Sequence, residues 1–184
     1  MAGRIQSELW EAALDQYGFV TSKDAKRLNI NLVELGKLSA RGQLKRLGYG
    51  IYRFPRFPTS PLDAYIHATL WANGRGVLSH DTALELHELC DINPTQIHIT
   101  VPVRYTPDRQ GGHLYTVHCE ELDAKDITKH EGIPIVREAV AIAQGIQSGV
   151  PTYLVRQALE TATRRGSINK AQQAELAALL EIRR

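Results

Sequence analysis

Residues 19–54, FVTSKDAKRLNINLVELGKLSARGQLKRLGYGIYRF, decide how the rest of the chain is read. Thr21, Ser22, Lys23 and Asp24 form a cap-and-charge run that opens a short helix. Asn29-Ile30-Asn31 supplies a turn. A second helix follows from about Leu32 to Arg41, and Gly42 stops it. Two short strands, 44–47 and 51–53, then flank the turn Gly48-Tyr49-Gly50. Helix, turn, helix and hairpin in this order predict a winged helix-turn-helix.

At about 100° per residue, the second helix turns Leu32, Leu35 and Leu38 toward the first. Its other side presents Val33, Gly36, Lys37, Ala40 and Arg41. The two small residues permit close approach to a duplex, while the Lys and Arg can reach phosphates or guanine edges. Lys45 and Arg46 begin the wing, Tyr49 sits at its tip, and Arg53 leaves it. Thr21, Ser22 and Lys23 start the preceding helix, whose backbone N–H groups are expected to hold a phosphate. The expected DNA contacts are therefore Thr21, Ser22, Lys23, Val33, Lys37, Arg41, Lys45, Arg46, Tyr49 and Arg53.

Charge is distributed to match. Residues 19–56 carry nine basic side chains against two acidic ones, Asp24 and Glu34. Residues 1–56 sum to +5 and residues 57–184 to −3, so attraction to phosphate has one address. At 184 residues and 43% apolar, the chain suits one large or two small domains and can bury a core. Three prolines in 55–61 read as a stiff linker, which puts domain boundaries at 1–56 and 57–184. The fold class expected is α+β: the winged helix-turn-helix, then a mixed α/β domain ending in helices.

Ahead of the winged motif, Ile5, Leu9, Trp10, Ala13, Leu14 and Tyr17 predict an amphipathic helix over 5–17, and Phe19-Val20 a short strand. Beyond the prolines, a helix is expected from Pro61 to Ala72 and a buried strand at Val77-Leu78. Ser79 is expected to cap a helix over 80–89. Strands are predicted at 96–101, 114–118, 127–130 and 133–136, and helices at 137–147, 153–165 and 169–181. The loop 102–112 is polar and broken by Pro107. Leu154, Ala158, Leu159 and Ala162 line one late helix, and Ala171, Leu176, Leu179 and Leu180 the next. Arg156, Arg164 and Arg165, with Arg137 upstream, are a possible second basic surface. His113 and Tyr115 fall on an alternating strand that could face a groove.

Cys90 and Cys119 have no metal or redox spacing and suit a reducing compartment. The N-terminus MAGRIQSELW lacks a signal-peptide core, and no run approaches the ~18 apolar residues of a membrane span. A cytoplasmic protein is expected, with no membrane partner.

The catalytic patterns are weak. Ser79-His80-Asp81 contains the letters of a hydrolase triad, but neighbours at a helix start cannot relay a proton in series. All seven histidines lie between His67 and His130, with His80 and His87 two turns apart and His87 and Cys90 at i and i+3. No duplicated ligand spacing completes a metal site. Asp123-Ala124-Lys125 echoes half of a nuclease motif, yet only Glu120 and Glu121 stand near to complete it. No catalytic residue, cofactor or metal is expected.

The wing RGQLKRLGYGIYRF, the stretch VLSHDTALELHEL and the strand IHITVP occur in that order. HEGIPIV and TYLVRQALETATRRG follow. Together they resemble the AbiEi family, antitoxins of bacterial type IV-like toxin–antitoxin operons, over about residues 7–166. The winged-helix assignment falls on Thr21 to Arg53, and the family's SHDTAL motif on Ser79 to Leu84. The resemblance implies a non-enzymatic antitoxin that represses its own operon by binding double-stranded operator DNA. It also implies a C-terminal domain that counteracts an AbiEii-type nucleotidyltransferase-like toxin, directly or indirectly. A monomer in solution that binds repeated half-sites cooperatively fits this reading. Two rivals remain open: a direct toxin-binding protein whose winged helix is only a scaffold, and a small metal-dependent nuclease around Asp123 and Lys125.

Overall fold

A computed structural model of the chain describes residues 2–105 and 112–183. Part of the loop read at 102–112, Pro107 included, lies outside the described residues. The described chain is α+β and forms two compact units, the first running through residue 74 and the second starting at residue 75.

The first unit opens with α1 (Ala2–Leu14), which starts and ends three residues earlier than the periodicity predicts. Tyr17 and Gly18 both adopt positive φ and turn the chain into β1 (Phe19–Thr21). Glycine is required at position 18, since an added Cβ would fall 2.4 Å from the Phe57 ring. Then come α2 (Ser22–Arg27) and α3 (Leu32–Ala40), joined through Asn29 in the left-handed region and capped by Asn31, whose Oδ1 accepts from Val33 N. The hairpin is β2 (Lys45–Gly48) and β3 (Ile51–Arg53), giving a sheet ordered β1-β3-β2 with both pairs antiparallel.

One apolar cluster unites these elements. Leu9 and Ala13 of α1, Val20, Ala25, Leu35, Leu38, Leu44, Tyr52 and Phe54 are all buried together. Trp10 meets Phe54 edge-on at 5.0 Å, and Phe57 packs beside it at 5.7 Å. The proline-rich stretch is therefore partly core rather than a free spacer, because its two aromatics complete the packing under α1.

The unit continues through α4 (Asp63–Trp71). His67 of α4 faces Phe19 of β1, with ring centres 5.9 Å apart. The contact boundary thus falls after residue 74, whereas the prolines alone suggest residue 56.

The second unit holds β4 (Val77–Leu78), α5 (His80–Leu86), β5 (Ile97–Val101), β6 (Tyr115–Cys119), β7 (Ile127–His130) and β8 (Ile133–Val136). Three helices finish it: α6 (Glu138–Ser148), α7 (Thr152–Arg165) and α8 (Lys170–Ile182). The sheet is mixed and ordered β6-β5-β4-β8-β7. β4 pairs antiparallel with β5 and parallel with β8, β5 pairs parallel with β6, and β7 with β8 is an antiparallel hairpin. Leu78, Ile99, Ile133 and Ile135 are fully buried at its centre.

α5 stops at Leu86 because His87 caps it and Glu88 takes a positive φ, which returns Leu89 N to Leu84 O. α6 approaches α5 at Gly145, where a Cβ would sit 3.0 Å from Leu84. On α7, Leu154, Ala158 and Ala162 are buried as the spacing predicts; on α8, Leu176 and Leu180 are buried but Ala171 is exposed. His113 falls in a 3-10 turn (Gly112–Leu114) and is exposed, while Tyr115 is buried, so the two do not share a groove-facing strand.

Candidate DNA interface

α3 turns Leu35 and Leu38 into the core and leaves Val33, Gly36, Lys37 and Ala40 exposed. Leu32 departs from the helical wheel: it stands in the first turn beside the Asn31 cap and remains 40% exposed. Val33 is 60% exposed. Lys37 Nζ lies 2.7 Å from Glu34 Oε1, so its charge is partly spent one turn back on the same helix. Among the described residues, the side chains of Arg41 and Lys45 have no hydrogen-bond or ion-pair partner. Arg46 is exposed on β2 and its Nε donates to Gly48 O, stiffening the wing. Tyr49 is 76% exposed at the hairpin turn.

Two expectations fail on local geometry. The start of α2 is not an open phosphate cradle. Ser22 N donates to Gly50 O, and Thr21 and Asp24 close a capping box in which Asp24 also accepts from Thr21 Oγ1 at 2.7 Å. A buried carboxylate and a wing carbonyl occupy the positions an anion needs. Lys23 donates from Nζ to Asn73 O and is anchored to the end of α4.

Arg53 likewise faces inward. Its side chain is 12% exposed, its guanidinium donates to Asp63 Oδ2 at 2.9 Å and to Pro58 O at 2.8 Å, and it lies over the Phe19 ring. Sequence counts it among the wing cations because nothing in the wing announces its acidic partner ten residues on. It ties β3 to α4 and is turned away from the wing surface. What remains on the surface is Val33, Lys37 and Arg41 on α3 and its end, with Lys45, Arg46 and Tyr49 on the wing.

This order of three helices and a three-stranded sheet is that of a winged helix-turn-helix. Residues 8–55 match the family model described as a transcriptional regulator, AbiEi antitoxin. The AbiEi match begins within α1 and ends just after β3, so it spans the winged helix. AbiEi proteins are regulatory antitoxins. No curated protein matched the chain. Among solved structures the chain is similar to the crystal structure of the RV2827C protein from Mycobacterium tuberculosis. That match has 15% identity and a TM-score of 0.49, and covers 96% of this chain and 81% of that one.

Beyond the AbiEi segment, the second basic surface does not assemble as one patch. Arg137 Nε donates to Lys125 O, and Arg165 donates to His87 O and pairs with Glu88, closing the end of α5. Arg156 and Arg164 stay exposed on α7. Asp123 and Lys125 pair with each other at 3.3 Å on an exposed 3-10 turn, which leaves no carboxylate cluster of the nuclease kind. Among the described residues, no group of three or more His, Cys, Asp or Glu is placed to hold a metal ion. No helix among them is long and apolar enough to cross a membrane.

The histidines hold one feature that spacing did not reveal. His80, His98 and His118 converge beside β5 and β6, because register sets Thr100 opposite His118 and His98 opposite Thr116 on one face of the sheet. His118 Nε2 lies 3.1 Å from His98 Nδ1. Ser79 is fully buried and does not cap α5. Its Oγ bonds Thr100 Oγ1 at 2.8 Å and His80 Nδ1 at 3.0 Å. The buried first-turn N–H of His80 is instead met by Gln144 Oε1, and Gln144 Nε2 donates to Glu120. Burial, reinforced by its histidine neighbours, pushes His80 down to about 3. The same causes push His118 down to about 4, and burial lowers His98. The cluster is knitted by hydrogen bonds, and burial disfavours the charged form of each ring.

Proposed function

We propose that this protein is an antitoxin that binds double-stranded operator DNA upstream of its own gene and represses it. The observation that carries the reading is α3, which is pinned to the core by Leu35 and Leu38 while Val33, Gly36, Lys37 and Ala40 face solvent. A helix held this way can enter a major groove without rearrangement. Lys37, Arg41, Lys45 and Arg46 supply phosphate contacts, with Val33 toward the bases and Tyr49 at the wing tip. The second unit counteracts an AbiEii-type toxin, and repeated half-sites on the operator recruit copies of a monomer cooperatively.

The test is a gel shift of the purified protein on the DNA immediately upstream of its gene, with scrambled competitor and at two salt concentrations. A specific shift that weakens steeply with salt, and that Lys37→Glu with Arg41→Glu removes, is the expected result. A scaffold-only winged helix gives no such shift and a stable complex with the toxin on a sizing column. The apolar exposure of Leu32 and Val33 is the observation that favours this second reading.

A further inference from the structure

On the DNA-binding reading, the first turn of α3 is the part that meets base edges, since helix-turn-helix recognition helices enter the major groove by their N-terminal residues. That turn offers little polar chemistry. Asn31 Oδ1 is held by Val33 N, and Glu34 is held by Lys37 at 2.7 Å. Gly36, one turn along, has open space where a Cβ would be, and Ala40 continues the same bare surface. The most exposed apolar side chain of the turn is Val33 at 60%, flanked by Leu32 at 40%.

In the major groove only one base presents an apolar group, the C5-methyl of thymine. A surface of Val, Gly and Ala methyls and backbone set among basic side chains has the shape and chemistry to receive it. We propose that Val33 is a specificity-determining residue that reads a thymine methyl in the operator. The surrounding cations hold the duplex by its phosphates without reading sequence. The positive charge of residues 19–56, nine basic against two acidic, is what selects a nucleic acid over an apolar protein partner for this face.

The test uses the full-length protein and the upstream duplex trimmed to its footprint, with each thymine of the protected region replaced singly by deoxyuridine. Replacement removes one methyl and leaves every hydrogen-bonding group in place. One or two positions should weaken wild-type binding by about fourfold, the equivalent of ~0.8 kcal/mol for one buried methyl. At those positions Val33→Ala should bind thymine and uracil duplexes equally. Val33 is exposed, so its truncation leaves the core intact, and a thermal melt of the variant verifies that.

Three results overturn the proposal, and each points elsewhere. Wild-type binding that stays specific and salt-sensitive but ignores every uracil removes thymine reading while sparing the DNA-binding function. A uracil effect that persists unchanged in Val33→Ala assigns the methyl to another residue. Absence of any specific, salt-sensitive shift removes the operator-binding function itself.

Discussion

The imidazole of His80 lies flat against that of His118, with ring centres 3.4 Å apart and planes 9° from parallel. Face-to-face contact this close tolerates two neutral rings and opposes two charged ones. The folded pKa values, about 3 for His80 and about 4 for His118, lie below the ordinary 6.5. The unfolded chain therefore takes up protons first as pH falls. The stability gained by keeping these rings neutral is complete above the unfolded pKa and is lost as pH drops through the folded values. The melting temperature should fall between pH 7 and pH 4.5. His118→Gln should flatten that dependence, even if the variant melts lower at neutral pH. A slope unchanged by His118→Gln would place the acid sensitivity in other groups.

Arg53 and Asp63 should behave as a structural pair. Arg53 Nε and Asp63 Oδ1 are buried without a hydrogen-bond partner among the described residues, so the pair is already under-satisfied. Removing the cation strands the carboxylate. Arg53→Met is expected to destabilise the first unit by about 3 kcal/mol in chemical denaturation, the low end for a broken buried pair because some solvent reaches both groups. The folded variant should bind upstream DNA as tightly as wild type. A loss of affinity without loss of stability would return Arg53 to the interface.

Glu34 should restrain DNA binding. Its carboxylate holds Lys37 and adds a negative charge to the surface proposed to meet phosphates. Glu34→Gln keeps the side-chain shape and frees the lysine. Affinity for the upstream duplex should rise by roughly threefold or more near 0.1 M salt and the gain should shrink as salt increases. A weaker complex would mean that Glu34 itself accepts a hydrogen bond from a base.

The capping box sets the entry to α2. Asp24 is buried and accepts from Thr21 N and Oγ1 and from Arg27. Asp24→Ala should cost about 1–2 kcal/mol of stability in a denaturant melt. If it instead raised affinity for phosphate with no change in stability, the start of α2 would be an anion site after all.

Local signals carried much of the fold. The cap at Thr21, the stop at Gly42 and the Glu131-Gly132 turn fixed elements to within a residue or two, because each acts through its own backbone. The exposure of the cations on α3 and β2 was visible for the same reason. Partnerships formed at long range were not. Nothing in the wing foretold that Arg53 would turn to Asp63. Nothing around Ser79 foretold that Thr100 and His80 would claim its hydroxyl and leave Gln144, 64 residues past His80, to meet the helix N–H. The parallel pairing of β5 with β6 and the gathering of three histidines are consequences of sheet register, which periodicity within one strand does not encode.

Phe57 against Gly18, His67 against Phe19 and Asp63 beneath Arg53 together tie the chain beyond the hairpin to the winged helix. A gene rearrangement that exchanged one winged helix for another by breaking at the prolines would therefore sever these contacts. It would deliver a module with an exposed aromatic face and a stranded guanidinium. On the operator-binding proposal, the piece that can be exchanged whole runs through Gly74 and carries α4 with it.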